Sequence, residues 1–190
     1  MKGVYILRNI NESAEIMEKA AAILTETFKG LGKDAWPTRE AALDEVRECV
    51  EEPNICIGIF ADGELAGWGG LRPMYDKTWE LHPLVIAGSF QGRGLGRLLL
   101  SGLETRAVEK GITGIVLGTD DETGSTSLSQ RAITGENIFE EIIHIRNLKN
   151  HPFEFYRKCG YIITGIVPDA NGEGRPDIWM WKKLRRPETP

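Results

Sequence analysis

The chain has 190 residues, within the ~100–200 usual for one domain, so one domain spanning 1–190 is expected and two would be cramped. Apolar types supply 41% and charged types 27%, ordinary globular usage that excludes a disordered, collagen-like or coiled-coil chain. With 23 Lys and Arg against 28 Asp and Glu the net charge is -5, the wrong sign for a general binder of nucleic acid or anionic membrane and the right one for a cationic partner.

Val4 to Leu7 reads as a short strand. Asn11 and Ser13 are capping types, after which Ile16, Ala20, Ile23, Leu24 and Phe28 recur at helical spacing up to a stop at Gly30. A loop with Asp34 and Trp36 leads to a second predicted helix, from about Thr38 to just before Pro53, with Leu43, Val46 and Val50 inward. Ile55, Ile57 and Ile59 alternate with smaller residues, Asp62-Gly63 makes a hairpin turn, and Leu65 to Leu71 is the return strand. A third strand covers about Trp79 to Ala87, and Pro83 inside it cannot donate to a ladder, which calls for an edge or bulge.

Leu95, Leu98, Leu99, Gly102 and Leu103 then form one stripe of a helix that stops at Gly111, with Gly102 tolerated for close packing on the sheet. Ile112 to Leu117 reads as a buried strand, followed by a long polar loop over 118–135. A helix is predicted from about Glu136 to Lys149. His151-Pro152 breaks it, and Pro152 opens a short helix through Cys159 to Gly160. Tyr161 to Val167 and Ile178 to Trp181 complete the chain as a strand pair around a loop with Asn171-Gly172. The order β-α-α-β-β-β-α-β-α-β-β is a mixed α/β arrangement around one sheet.

No apolar run approaches the ~20 residues of a membrane span, and Val4 to Leu7 is too short for a signal-peptide core, so a cytoplasmic location is expected. Cys49, Cys56 and Cys159 form no C-x-x-C pair and, with three scattered histidines, offer no zinc spacing; no metal is expected, and the thiols read as free.

Gln91-Gly92-Arg93-Gly94-Leu95-Gly96 lies between the third strand and the strong helix. Glycines at alternate positions let several backbone N–H groups turn toward one point at a helix N-terminus, an anion site by geometry and dipole. No Gly-Lys-Ser/Thr closes it as a P-loop, and Arg97 stands where a dinucleotide fingerprint needs its third glycine. Residues 91–110 carry Arg93, Arg97, Arg106 and Lys110 against Glu104 and Glu109, a local surplus of positive charge that suits a phosphate ligand.

Gln-x-x-Gly-x-Gly between strand and helix resembles the acyl-CoA pyrophosphate loop of the GNAT acetyltransferase superfamily. Five further segments recur in order and look like the aminoglycoside 6'-N-acetyltransferases of the GNAT type: Trp79-Glu80-Leu81-His82-Pro83-Leu84-Val85, Leu117-Gly118-Thr119-Asp120-Asp121, Ser127-Leu128-Ser129-Gln130, His151-Pro152-Phe153-Glu154-Phe155-Tyr156 and Pro176-Asp177-Ile178-Trp179-Met180. The resemblance covers 78–183. It implies a three-layer fold whose mixed, mostly antiparallel sheet splays at a bulged strand near Pro83, acetyl-CoA as co-substrate, a homodimer, and a role in antibiotic resistance. Gln91, Gly92, Arg93, Gly94, Leu95, Gly96 and Arg97 would bind the cofactor.

Acetyl transfer to an amine needs a neutral nucleophile, stabilisation of the thioester oxyanion and a proton for the departing thiolate. Glu80 and His82, two apart on a strand, face the same side, and either can take the ammonium proton directly or through water. The resemblance assigns Glu80 as acidic substrate contact and base and His82 as an active-site residue that orients. It gives the Leu84 N–H to the oxyanion, the backbones of Val85 and Ala87 to the cofactor arm, and Tyr156 to protonation of the thiolate.

Residues 119–143 hold Asp120, Asp121, Glu122, Glu136, Glu140 and Glu141 against Arg131 alone, a negative excess as large as that of the whole chain. Glu140 and Glu141 fit a solvated helix face. Asp120 and Asp121 follow a buried strand out of the sheet, where a polycationic amine fits, with Glu136, Asp169 and Glu173 as weaker candidates. Trp36, Trp68 or Tyr75 can stack on a sugar ring, and Trp36 serves equally as a hydrophobic anchor. Trp179 and Trp181 share one face of the last strand, as partial burial or a dimer contact explains. The expected activity is acetyl transfer to the 6'-amine of an aminoglycoside in a ternary complex. The alternatives are another cationic amine (a polyamine, a small amino metabolite or a peptide amine) or a non-catalytic acyl-CoA sensor.

Overall fold

A short β-branched edge and two capped helices open the chain. The computed structural model describes residues 4–30 and 35–184, and Asp34 lies outside the described residues. β1 (Tyr5–Arg8) precedes α1 (Ala14–Gly30), where the Ser13 hydroxyl accepts the Ile16 N–H at 3.2 Å and Ala20, Ala21, Ile23 and Leu24 are buried. α2 (Arg39–Val50) is capped by Thr38, which accepts the Ala41 N–H, and buries Ala42, Leu43, Val46 and Cys49; Val50 is half-buried.

β2 (Ile55–Ala61) and β3 (Glu64–Pro73) form the expected hairpin, with Asp62 and Gly63 both at positive φ as a primed turn requires. β4 (Thr78–Ile86) pairs antiparallel with β3 and carries the expected bulge. Gly69 faces Leu84 and Leu71 faces Leu81, so two residues on β3 span three steps on β4, and His82-Pro83 holds the extra residue. α3 (Leu95–Glu109) buries Leu95, Leu99, Leu100, Leu103 and Ala107. Leu98, expected on that stripe, is exposed instead, because the inward face turns toward Leu100.

The described chain forms two compact units, one reaching Ile115 and including Leu184, the other Val116–Lys183. In the first, the strand order is β1-β2-β3-β4, antiparallel throughout. α1 contacts β3 and β4, α2 contacts β2 and β3, and α3 contacts all three strands, so β2 is covered by α2 and α3 and every one of its residues is buried. Gly102 lets α3 come close, since a Cβ there would meet the side chains of Leu7 and Ile57. Trp68 is fully buried and donates its indole N–H to the Ala20 carbonyl at 2.8 Å, so it is unavailable to stack on a sugar. Cys49 and Cys56 are buried free thiols and Cys159 is half-buried.

The second unit holds β5 (Gly114–Asp120), which starts at the boundary, α4 (Ile138–Ile143), α5 (Phe153–Lys158), β6 (Ile162–Val167) and β7 (Asp177–Lys183), in strand order β5-β7-β6. The helix expected over 136–149 is six residues long. Beyond it the backbone leaves to pair with the polar loop: Ser127 N–H donates to Arg146 O, Leu148 N–H to Ser125 O, and Thr126 bridges Asn147. Gly160, at φ +91, stops α5 as expected. Trp179 and Trp181 are half-buried on the same face of β7, between buried Ile178 and Met180.

Candidate active site

The bulge on β4 sets the direction of every backbone group after it. Ala87 N–H donates to the Ala66 carbonyl at 2.9 Å, and because N–H and C=O alternate sides along a strand, Val85 also presents its polar groups to β3. This corrects the expectation that Val85 and Ala87 serve the cofactor arm. The backbone groups of Leu84 and Ile86 turn away from β3.

After β4 a short 3-10 turn, Gly88–Phe90, leads into the glycine loop. Gln91 folds back, its side-chain N–H donating to the Ile86 carbonyl at 2.9 Å, and Arg93 donates to the Ser89 carbonyl at 2.7 Å. Gly92 (φ +73) and Gly94 (φ +80) occupy the left-handed region, where a side chain would be strained, and Gly94 is the N-cap of α3. Leu95 is buried and pins the helix start, which leaves the first N–H groups of α3 beside exposed Arg93 and Arg97, an arrangement able to receive an anion. Arg106 donates to Asn9 and Lys110 to the Pro53 carbonyl, three turns further along the helix, so only two of the four bases serve the loop.

Glu80 and His82 are both half-buried on β4. Arg72 stands opposite Glu80 in the ladder and donates Nε–H to Glu80 Oε2 at 2.7 Å. His82 Nε2 lies 3.5 Å from Glu45 Oε1, while Trp36 Nε1–H donates to Glu45 Oε2 at 3.2 Å. Burial raises the Glu45 carboxyl, but the contacts with His82 and Trp36 and the charge of Arg72 outweigh it and hold it below the usual carboxylate range. Trp36 is half-buried with its ring edge-on to Phe28 at 4.6 Å, so it is anchored as well as placed beside His82. Tyr75 is 63% exposed.

Neither Glu45 nor Arg72 was singled out from the sequence. Glu45 does carry a signal, since it falls three residues after Ala42 and four before Cys49, on the inward stripe of α2, where a charge is out of place.

In the second unit the two loop aspartates separate. Asp121 is fully buried, and its carboxylate accepts from Ser125 N–H (2.5 Å), Thr126 N–H (2.8 Å), Thr126 hydroxyl (2.7 Å) and Ser129 hydroxyl (2.6 Å). Sealed from solvent and bound by four donors of its own loop, it is a strut of that loop, which corrects its expected substrate role. Burial raises its carboxyl and these hydrogen bonds outweigh that, leaving it below the ordinary value. Asp120 is half-buried and accepts from Asn171 at 2.6 Å, while the buried His151 ring contacts the Asp120 carbonyl at 3.1 Å. Glu136 is exposed, Glu141 pairs with Arg131, and Asp169 accepts the Gly174 N–H within a turn.

Tyr156 lies on α5 between the rings of Phe155 and Tyr161, with centroids 5.1 and 5.8 Å away. Burial, and secondarily the charge of Cys159, push its phenol well above the usual value. Among the described residues no cluster of three or more His, Cys, Asp or Glu could hold a metal, and no helix is long and apolar enough to cross a membrane.

Residues 17–131 match the model of the acetyltransferase (GNAT) family. The chain belongs to the GNAT acetyltransferase family. It is an N-acetyltransferase, and the acyl donor of the family is acetyl-CoA, which the glycine loop suits. An aminoglycoside 6'-N-acetyltransferase solved with coenzyme A is 34% identical, with 96% of this chain and 99% of that one covered and a TM-score of 0.85. The aminoglycoside 6'-N-acetyltransferase from Enterococcus faecium gives the same values. The ribosomal-protein-S18-alanine N-acetyltransferase from Escherichia coli, at 13% identity, 98% and 99% coverage and a TM-score of 0.63, shares the fold. A search of curated protein sequences found no match.

Proposed function

We propose that this GNAT enzyme transfers acetyl from acetyl-CoA to the 6'-amine of an aminoglycoside by direct attack in a ternary complex, with residues 1–190 acting as one domain. The observation that carries the reading is the 34% identity, across nearly the full length of both chains, to two structures of aminoglycoside 6'-N-acetyltransferases.

Arg72 occupies one oxygen of Glu80, and the other is left to draw in the substrate ammonium by a charge-assisted hydrogen bond. Glu80 is the expected base, but with its charge engaged by Arg72 the proton passes to His82, on the same side of β4, directly or through water. The neutral amine attacks the thioester carbonyl, the new N–C bond forms, and the oxyanion is met by Leu84 N–H. As the C–S bond breaks, the Tyr156 phenol donates its proton to the thiolate, and the second proton shed by the nitrogen as it becomes the amide passes through water to restore the phenol. Leu84 and Ile86 offer backbone groups to the extended arm of the co-substrate, as a peptide adds to a sheet edge, and the 91–97 loop takes its pyrophosphate. Asp120, Glu136 and Trp36 hold the acceptor's remaining ammonium groups and ring. The proposal includes a cytoplasmic homodimer, read out by light scattering of the purified protein.

Thiol release from acetyl-CoA is the deciding measurement, with kanamycin and tobramycin set against a panel of polyamines and peptide amines. Turnover with the aminoglycosides and raised tolerance of susceptible cells expressing the chain are expected. Robust polyamine or peptide acetylation with no aminoglycoside turnover overturns the reading, and tight acetyl-CoA binding with no turnover of any amine reduces the protein to a sensor.

A further inference from the structure

Three side chains from three segments converge at the bulge. Trp36 precedes α2, Glu45 sits on its inward face, and His82 occupies the bulge of β4 opposite Gly70. The Glu45 side chain is only 14% exposed and that of His82 29%, and the two Glu45 oxygens divide between Trp36 Nε1 at 3.2 Å and His82 Nε2 at 3.5 Å. The Trp36 ring also packs against the imidazole, with centroids 5.7 Å apart. A carboxylate fixed at one oxygen by an anchored indole has little freedom at the other, and that other oxygen faces the imidazole.

We propose that Glu45 is a positioning residue for the acetyl-transfer reaction: it holds the Nε2–H edge of His82 and thereby leaves Nδ1 as the atom that takes the amine proton. The inference rests on the reading of His82 as proton acceptor given above. An acceptor on Nε2 sets the tautomer in which Nδ1 carries the lone pair, and once Nδ1 is protonated the same carboxylate stabilises the imidazolium. The other charged groups around the couple are consistent with this division. Arg72 on β3 is engaged by Glu80, and Glu48 and Cys49 on α2 line the same small cleft without a hydrogen bond to the imidazole. Gly70 contributes space, since a Cβ there would meet Cys49 Sγ and the His82 carbonyl.

The test compares the wild type, E45Q, H82A and the double variant E45Q/H82A. Glutamine keeps an oxygen for Trp36 but removes the charge, and E45D serves as second variant if E45Q fails to fold by its thermal melt. In 15N spectra of the imidazole in the protein without substrate, the wild type should show His82 as the Nε2–H tautomer and E45Q a mixture of both. With tobramycin, E45Q should lower kcat/KM on the order of tenfold, and in the H82A background by less than about twofold, the non-additivity of groups acting as a unit. The KM for acetyl-CoA should not move. Imidazole signals unchanged in E45Q, or an equal loss in both backgrounds, overturn the proposal. If the wild type acetylates no aminoglycoside, the proposed function fails, and the imidazole spectra still decide whether Glu45 controls His82.

Discussion

Arg72 and Glu80 face each other across the β3–β4 ladder, Nε to Oε2 at 2.7 Å, at the end of β4 that leads into the bulge. The pair fixes the rotamer of Glu80 and leaves one carboxylate oxygen uncommitted. Glu80→Gln preserves an acceptor for Arg72 and removes the negative charge. Charge-assisted hydrogen bonds contribute about 1.5–3 kcal/mol, so kcat/KM for a polycationic amine should fall about ten- to hundredfold while the KM for acetyl-CoA holds. Steady-state kinetics check this. Raising the ionic strength should lower wild-type kcat/KM and narrow its lead over E80Q.

Asp120 and Asp121 are adjacent in sequence and opposite in role, and paired variants separate them. Asp121→Asn offers a single oxygen where the carboxylate accepts four bonds, stranding a buried N–H of Ser125 or Thr126. The loss should be about 2–4 kcal/mol, a fall in Tm of roughly 5–15 °C by calorimetry. The Asp121 carboxyl titrates lower folded than unfolded, so its contribution is present above the unfolded value and lost as pH falls through the folded one. Acid unfolding of D121N should therefore be shallower than that of the wild type. Asp120→Asn should leave Tm within a few degrees and raise the KM for the amine.

The sequence pattern carries the helices and hairpins because their apolar stripes, caps and turn residues are local: Ser13 and Thr38 cap where expected, and Asp62-Gly63 turns as its type demands. It fails where a distant segment decides. The helix after Asn137 stops short because residues 145–149 find backbone partners at 125–127, and Asp121 looks like a ligand residue until Ser125, Thr126 and Ser129 fold back on it. Val85 and Ala87 were one residue out of phase because the bulge at Pro83 resets which backbone groups meet β3, a register that no propensity encodes. The glycine loop was legible because its glycines must adopt positive φ, whereas the basic surplus around it misled, since Arg106 and Lys110 lie far down the helix.

Gly70 sits opposite the bulge, and a methyl group there would meet Cys49 Sγ, the His82 carbonyl at 3.0 Å and the Ile55 carbonyl at 3.4 Å. Two of these are backbone atoms that cannot rotate away. Gly70→Ala should cost about 1–3 kcal/mol by overpacking and displace β4 at His82. The expected result is a lower Tm together with a loss of kcat for the amine that exceeds any change in acetyl-CoA affinity. A purely thermal effect, with kcat of the folded protein unchanged, would mean that β4 does not transmit the strain to His82.

Tyr156 is held protonated by burial, the state that a donor to thiolate requires. Tyr156→Phe keeps the ring contacts with Phe155 and Tyr161 and deletes only the hydroxyl. General acid catalysis is worth about 10²–10⁴-fold, so kcat should fall by at least the lower figure with acetyl-CoA KM unchanged, measured by thiol release; undiminished kcat removes Tyr156 from the mechanism. The pH dependence of stability gives an independent check. An unfolded tyrosine ionises near pH ~10 and the folded one higher, so above that pH the unfolded chain loses its proton first and stability declines as pH rises. The decline should be smaller in Y156F, where one group with this raised value is gone, and chemical denaturation at pH ~9 and ~11 resolves the difference.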